Sequence, residues 1–79
     1  MKTIHDQNYL ELLANLRRLR SIQNISQTEL SIKLAKSQSY ISKIESGDRR
    51  VDIIELLNIC TVLGIKLSKV LPTKYKDNI

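Results

Sequence analysis

The stretch Ser26 to Gly47, SQTELSIKLAKSQSYISKIESG, decides the fold. Ser26 with Glu29 three residues on is a reciprocal capping box, and Ile25 before it can staple onto Leu30. Two independent start signals therefore put a helix start at one residue. Leu30 and Leu34 give this helix its inner side, and it has room for only about two turns before Ser37, which reads as the cap of a further helix. That helix is expected from Gln38 to about Ser46, with Ile41 and Ile44 facing inward and Gly47 ending it in a left-handed conformation. Gln38, Ser39, Ser42 and Lys43 are then left outside, a wide face of amide, hydroxyl and ammonium groups beside a narrow apolar seam.

Upstream, Asp6 or Asn8 can cap a first helix in which Tyr9, Leu12, Leu13, Leu16 and Leu19 recur at steps of three and four, the spacing of one buried stripe. Downstream, Asp48, Arg49 and Arg50 form a charged loop, and Asp52 with Glu55 repeats the capping box. The segment Ile53 to Leu63 is apolar nearly all round, which predicts a helix buried on more than one side and ended by Gly64. A short helix from Leu67 to Leu71 stops at Pro72, and a frayed polar tail is expected after it. The expectation is one all-α domain over residues 1–79, with five helices, a core from about 9 to 71 and a tail over 72–79.

The charge is unevenly placed. The chain carries a net +5, and all of that excess lies between Arg17 and Arg50, because elsewhere basic and acidic residues balance. An asymmetric basic field of this kind favours a polyanionic partner, with a solvated face that merely keeps the protein soluble as the alternative. With Cys60 as the one cysteine there is no internal disulfide, and no apolar run marks a signal peptide or a membrane span, so a cytoplasmic location is expected. Enzymatic chemistry has no foothold: His5 is read as solvated, Cys60 as a small core residue, and there is neither a phosphate-cradling glycine loop nor a set of metal ligands. No cofactor is expected.

From about Leu12 to Leu71 the chain resembles the Cro and phage-repressor type of helix-turn-helix domain, the XRE-like family of bacterial and phage transcription regulators. The likeness rests on Ser-Gln before Glu-Leu, on SQSYISKIE followed by Gly47, and on the Leu-Gly that ends the fourth helix. It implies a compact five-helix lambda-repressor-like fold whose second and third helices bind double-stranded DNA, usually as a homodimer on a palindromic operator. It also implies Gln27 as a phosphate contact, and Gln38, Ser39 and Lys43 as base-reading residues. Glutamine can pair with adenine and lysine with guanine, each worth about 1–3 kcal/mol of discrimination. Tyr40 is expected beside them, lying on a sugar or thymine methyl, or else packing on its own helix. Lys36, Arg49 and Arg50 flank the reading helix as phosphate clamps. Ser42 has the DNA backbone or its own helix as partner, Ser37 caps first and touches phosphate second, and Arg18 serves either phosphate or the helix dipole. Arg20 and Glu45 match a salt bridge that ties the first helix to the third in this family.

Three positions depart from the family pattern. Ala35 and Lys36 stand in the turn where glycine and an apolar residue are usual, and Ser31 replaces alanine with a hydroxyl that needs a partner. The apolar residues Leu63, Ile65, Leu67, Val70 and Leu71 are the expected dimer patch. Short proteins of this family also act as the antitoxin of a toxin pair, with a protein toxin as partner, or as restriction-modification controllers, and the residues alone leave these open beside a repressor.

Overall fold

The computed structural model describes residues 6–78, so the reading of His5 falls outside the described residues. The chain is all-α: α1 (Gln7–Ser21), α2 (Gln27–Lys33), α3 (Tyr40–Glu45), α4 (Ile53–Leu63), α5 (Leu67–Val70) and a closing 3₁₀ helix (Thr73–Asn78). The tail expected to fray is thus partly ordered. Its Thr73 donates both its backbone N–H (3.0 Å) and its hydroxyl (2.9 Å) to the Glu11 carboxylate on α1.

Each boundary has a local cause. Asp6 caps α1 through bonds from the Asn8 and Tyr9 amides, and the capping boxes at Ser26–Glu29 and Asp52–Glu55 both form. Gly64 ends α4 in the left-handed region at φ 66°, where a side chain would strain the backbone. The start of α3 differs from expectation. It begins at Tyr40, two residues late, with Gln38 and Ser39 in the turn before it. Neither Ser37 nor Ser39 caps it with its side chain; Ser37 supplies only its carbonyl, to the Tyr40 amide. The cap comes from α2 instead. Ser31, fully buried, donates its hydroxyl to the Gln27 carbonyl (2.9 Å) and accepts from the Ile41 amide (3.0 Å).

The turn between α2 and α3 keeps its left-handed residue without glycine: Ala35 sits at φ 58°. That conformation costs a side-chain-bearing residue about 1–2 kcal/mol, of which roughly half is recovered because alanine is less free than glycine in the unfolded chain. Ala35→Gly is therefore expected to stabilise the fold by about 0.5–1 kcal/mol, seen as a rise of a few degrees in the thermal midpoint. An unchanged or lower midpoint would show that the turn is unstrained.

One apolar cluster joins all five helices: Leu13, Leu16 and Leu19 of α1, Leu30 of α2, Tyr40, Ile41 and Ile44 of α3, Leu56, Ile59, Cys60 and Leu63 of α4, and Val70 of α5. α1 lies centrally, packing on α3 along one flank and on α5 along another, while α2 packs on α3. Asn15 fastens α5 to α1 by donating to the Val70 carbonyl at 3.0 Å. Two expectations are corrected here. α4 is not covered on several sides, since Ile53, Ile54, Leu57 and Val62 are 56%, 63%, 39% and 37% exposed. The expected dimer patch is largely inside: Leu63 and Val70 are buried and Ile65, Leu67 and Leu71 half-buried, because α5 closes the core against α1. Among the described residues, no helix is long and apolar enough to cross a membrane.

Candidate nucleic-acid interface

The α2–α3 pair is held to α1 by a buried ion pair. The Arg20 guanidinium donates from Nε to Glu45 Oε2 at 2.8 Å and from Nη2 to Oε1 at 3.0 Å, while Nη1 donates to the Ile25 carbonyl at 2.7 Å. A fork of this geometry fixes direction as well as distance. Gln27, the first residue of α2, donates its side-chain amide to the same Glu45 carboxylate at 2.8 Å. One of the two amide hydrogens of Gln27 is thereby fixed inward, and the other remains for an outside acceptor.

A second set of bonds fastens the front of α3 to the front of α4. Glu55 accepts the Tyr40 hydroxyl at 3.0 Å, the Arg49 guanidinium at 2.7 and 3.1 Å, and the Asp52 amide at 3.0 Å. Arg49 also lies over the Tyr40 ring, 5.1 Å from its centroid, and Lys36 sits 5.4 Å from the same ring, positions in which the ring face attracts a cation.

Tyr40 is therefore corrected from base reader to fastener: it is 7% exposed and its hydroxyl is committed. The reason is helical geometry, since Tyr40 lies four residues before Ile44 and shares its inward side. Arg49 is paired with Glu55, and its side chain stays about half exposed. Arg50 is exposed and lies 5.0 Å from the Tyr9 ring centroid. Ser42 spends its one hydroxyl hydrogen on the Ser39 carbonyl, the helical alternative of the two expected for it. Arg18 points away from the α2–α3 pair, into a groove shared with Lys66, Lys69 and Lys76 beside α5.

The Glu55 carboxyl is lowered from 4.5 to about 2, first by the hydrogen bond from Arg49 and against the opposing effect of burial. A carboxyl depressed on folding stabilises the protein fully above its unfolded value and loses that contribution as the pH falls toward the folded value. Denaturant melts are expected to show stability falling between about pH 4.5 and pH 2, and Glu55→Gln is expected to flatten that fall. An equal acid response in the variant would remove Glu55 from the cause.

What remains outside and uncommitted is compact in composition. Gln38, Ser39 and Lys43 are exposed, and among the described residues their own side chains make no hydrogen bond or ion pair. Ser39, the residue before α3, lies one turn ahead of Lys43 on the helix, with Gln38 beside it in the turn leading in.

A family model described as helix-turn-helix matches residues 16–70. A solved XRE-family like protein from Pseudomonas syringae is 41% identical, with 81% of this chain and 80% of that one covered and a TM-score of 0.72. The chain belongs to the XRE family of helix-turn-helix regulators. The restriction-modification controller protein C.AhdI from Aeromonas hydrophila is 26% identical over 84% of this chain and all of that one, with a TM-score of 0.75. The clp gene regulator ClgR from C. glutamicum is 28% identical over 87% and 88%, with a TM-score of 0.74. Among curated proteins the chain has no match.

The XRE family gives the uncommitted face its chemistry: these proteins are DNA-binding transcription regulators, and neither the family nor the fold is that of an enzyme. In an XRE regulator, α3 presents donors and acceptors to groove edges, and the charges around it settle the protein on phosphates. The structure brings Gln27, Lys36, Gln38, Ser39 and Lys43 to this α2–α3 side, keeps Arg49 beside Lys36 at the Tyr40 ring but paired with Glu55, turns the Tyr40 side chain inward, and places Arg18 in the groove beside α5. Ser37 stays exposed there without a capping bond. Two residues with structural importance escaped the sequence reading. The clasping role of Glu55 was hidden behind its cap signal, and Ser31 was noted only as a hydroxyl in need of a partner.

Proposed function

We propose that this XRE regulator is a repressor-type autoregulator that binds a palindromic duplex operator as a homodimer, reading bases with Gln38, Ser39 and Lys43 and gripping phosphates with Gln27, Lys36 and Arg50. The observation that carries this reading is the contrast on α3. Its inward side is tied down, through the Ile41 amide on Ser31, Glu45 on Arg20 and the Tyr40 hydroxyl on Glu55, while the side chains of Gln38, Ser39 and Lys43 have no internal partner among the described residues. A rigid support with free donors is what base recognition requires, because little ordering is left to be done on binding.

A second copy finds its natural seat on the first turns of α4, where Ile53, Ile54 and Leu57 are exposed within about 100° of one another around the helix, Val62 being exposed on another side. A two-fold contact would cover this apolar patch with the same patch from the partner copy. This replaces the patch around Leu63 and Val70. Sedimentation is expected to give a dimer at micromolar concentration, and a monomer there would count against the pairing. The controller variant of the reading is supported by the match over the full length of C.AhdI.

Selection from random duplexes supplies the operator. On it, Gln38→Ala is expected to lose about tenfold in preference over a sequence changed at one position of the half-site, about 1.4 kcal/mol. A variant that binds specific and random duplexes with the same ratio as the parent would remove Gln38 from base reading.

A further inference from the structure

Arg17 is one turn before Arg20 on α1 and exposed, and among the described residues it has no ion-pair partner. It is about 100° around the helix from Arg18. That rotation takes Arg17 to a different face of α1, where it lines a cleft of about 180 Å³ with Gln27 of α2, Ser42 and Glu45 of α3, and Ser46 just beyond. Three elements converge on this cleft, and Glu45, paired with Arg20, lines it.

The donors in the cleft can be counted. Ser42 and Ser46 give their hydroxyl hydrogens to the Ser39 and Lys43 carbonyls. Glu45 is an acceptor only, and its charge is met by the Arg20 fork and the Gln27 amide. The side-chain donors left for an outside acceptor are the second amide hydrogen of Gln27 and the guanidinium of Arg17. One is neutral and fixed by Glu45, whereas the other is cationic and at the end of a long side chain. An oxyanion with several acceptor oxygens fits that pair, and a compensated carboxylate behind it does not repel it as a bare one would.

We propose that Arg17 is a DNA-positioning residue that holds, together with Gln27, one backbone phosphate over this cleft, where α1, α2 and α3 meet. The inference rests on the reading of the α2–α3 side as the DNA-gripping face. It adds a contact from α1, a helix outside the motif, and moves the clamp from Arg18 to its neighbour.

The test is a salt titration of binding to the selected operator and to a random duplex, for the parent chain, Arg17→Gln, Arg17→Lys and Arg18→Gln. Arg17→Gln is expected to weaken both duplexes by a similar factor, around tenfold at low salt, and to reduce the slope of log affinity against log salt by about 0.9 per protomer. Arg17→Lys is expected to keep the slope, and Arg18→Gln to keep both slope and affinity. Matching thermal midpoints establish that the variants are folded. An unchanged slope in Arg17→Gln, while the parent binds, overturns the inference alone; so does an equal loss in Arg18→Gln, which would make the effect one of net charge. A parent chain that binds no duplex overturns the DNA-gripping reading itself.

Discussion

Glu45→Ala is expected to lower the unfolding free energy by about 3–5 kcal/mol, because it leaves the Arg20 guanidinium buried without its counter-charge. Arg20 is 9% exposed and Glu45 6%, so water replaces the missing partner poorly. The same substitution frees the Gln27 amide and removes the tie between α1 and α3. Against a total of about 5–15 kcal/mol for a native domain, that loss is large enough to populate unfolded chain at physiological temperature. Urea melts of the two single variants and of a double variant, Arg20→Met with Glu45→Met, would separate pairing from packing. The double variant should recover much of what either single loses, since neither charge is then stranded. A single-variant loss under about 1 kcal/mol would place this pair with ordinary surface bridges.

Ser31→Ala is expected to cost about 1–3 kcal/mol, although alanine is the smaller and more helix-favouring residue. The Ile41 amide is at the second position of α3 and has no carbonyl within that helix to bond. The Ser31 hydroxyl meets it at 3.0 Å in a fully buried seam, and alanine would leave that donor without a partner. Ser31→Thr offers the check, because it restores the hydroxyl while adding a methyl to a tight site. If Ser31→Ala melts with the parent, water or a shifted α3 start must satisfy Ile41, and the cap assigned to Ser31 fails.

These two residues also show what a sequence can and cannot reveal. The helices bounded by capping boxes were legible because cap, staple and apolar stripe lie within a few residues and depend on local geometry alone. Glu45 was legible only through family likeness, as nothing near it in sequence points to Arg20. Ser31 and Tyr40 depend on what another helix brings. A serine ten residues before Ile41 gives no local sign that it will cap α3. Tyr40 had a usable signal in its spacing from Ile44, which places its ring inward; its polar hydroxyl and position next to the reading residues pointed the other way. The burial of the expected dimer patch was hidden for a related reason. Hydrophobicity ranks α5 and the end of α4 as surplus, but only packing reveals that α5 spends its apolar side on closing the core, while Ile53, Ile54 and Leu57 of α4 stay exposed.

The Glu55 clasp joins Tyr40, at the start of the reading helix, to the start of α4. In the proposed dimer, with two copies meeting on α4, the path from one Gln38 to the other would run through two such clasps in series. The clasps would then act as a ruler. Their stiffness would set how far apart the two half-sites must lie and how little deviation is tolerated, so a loosened clasp would leave each half-site as readable as before while blurring the distance between them.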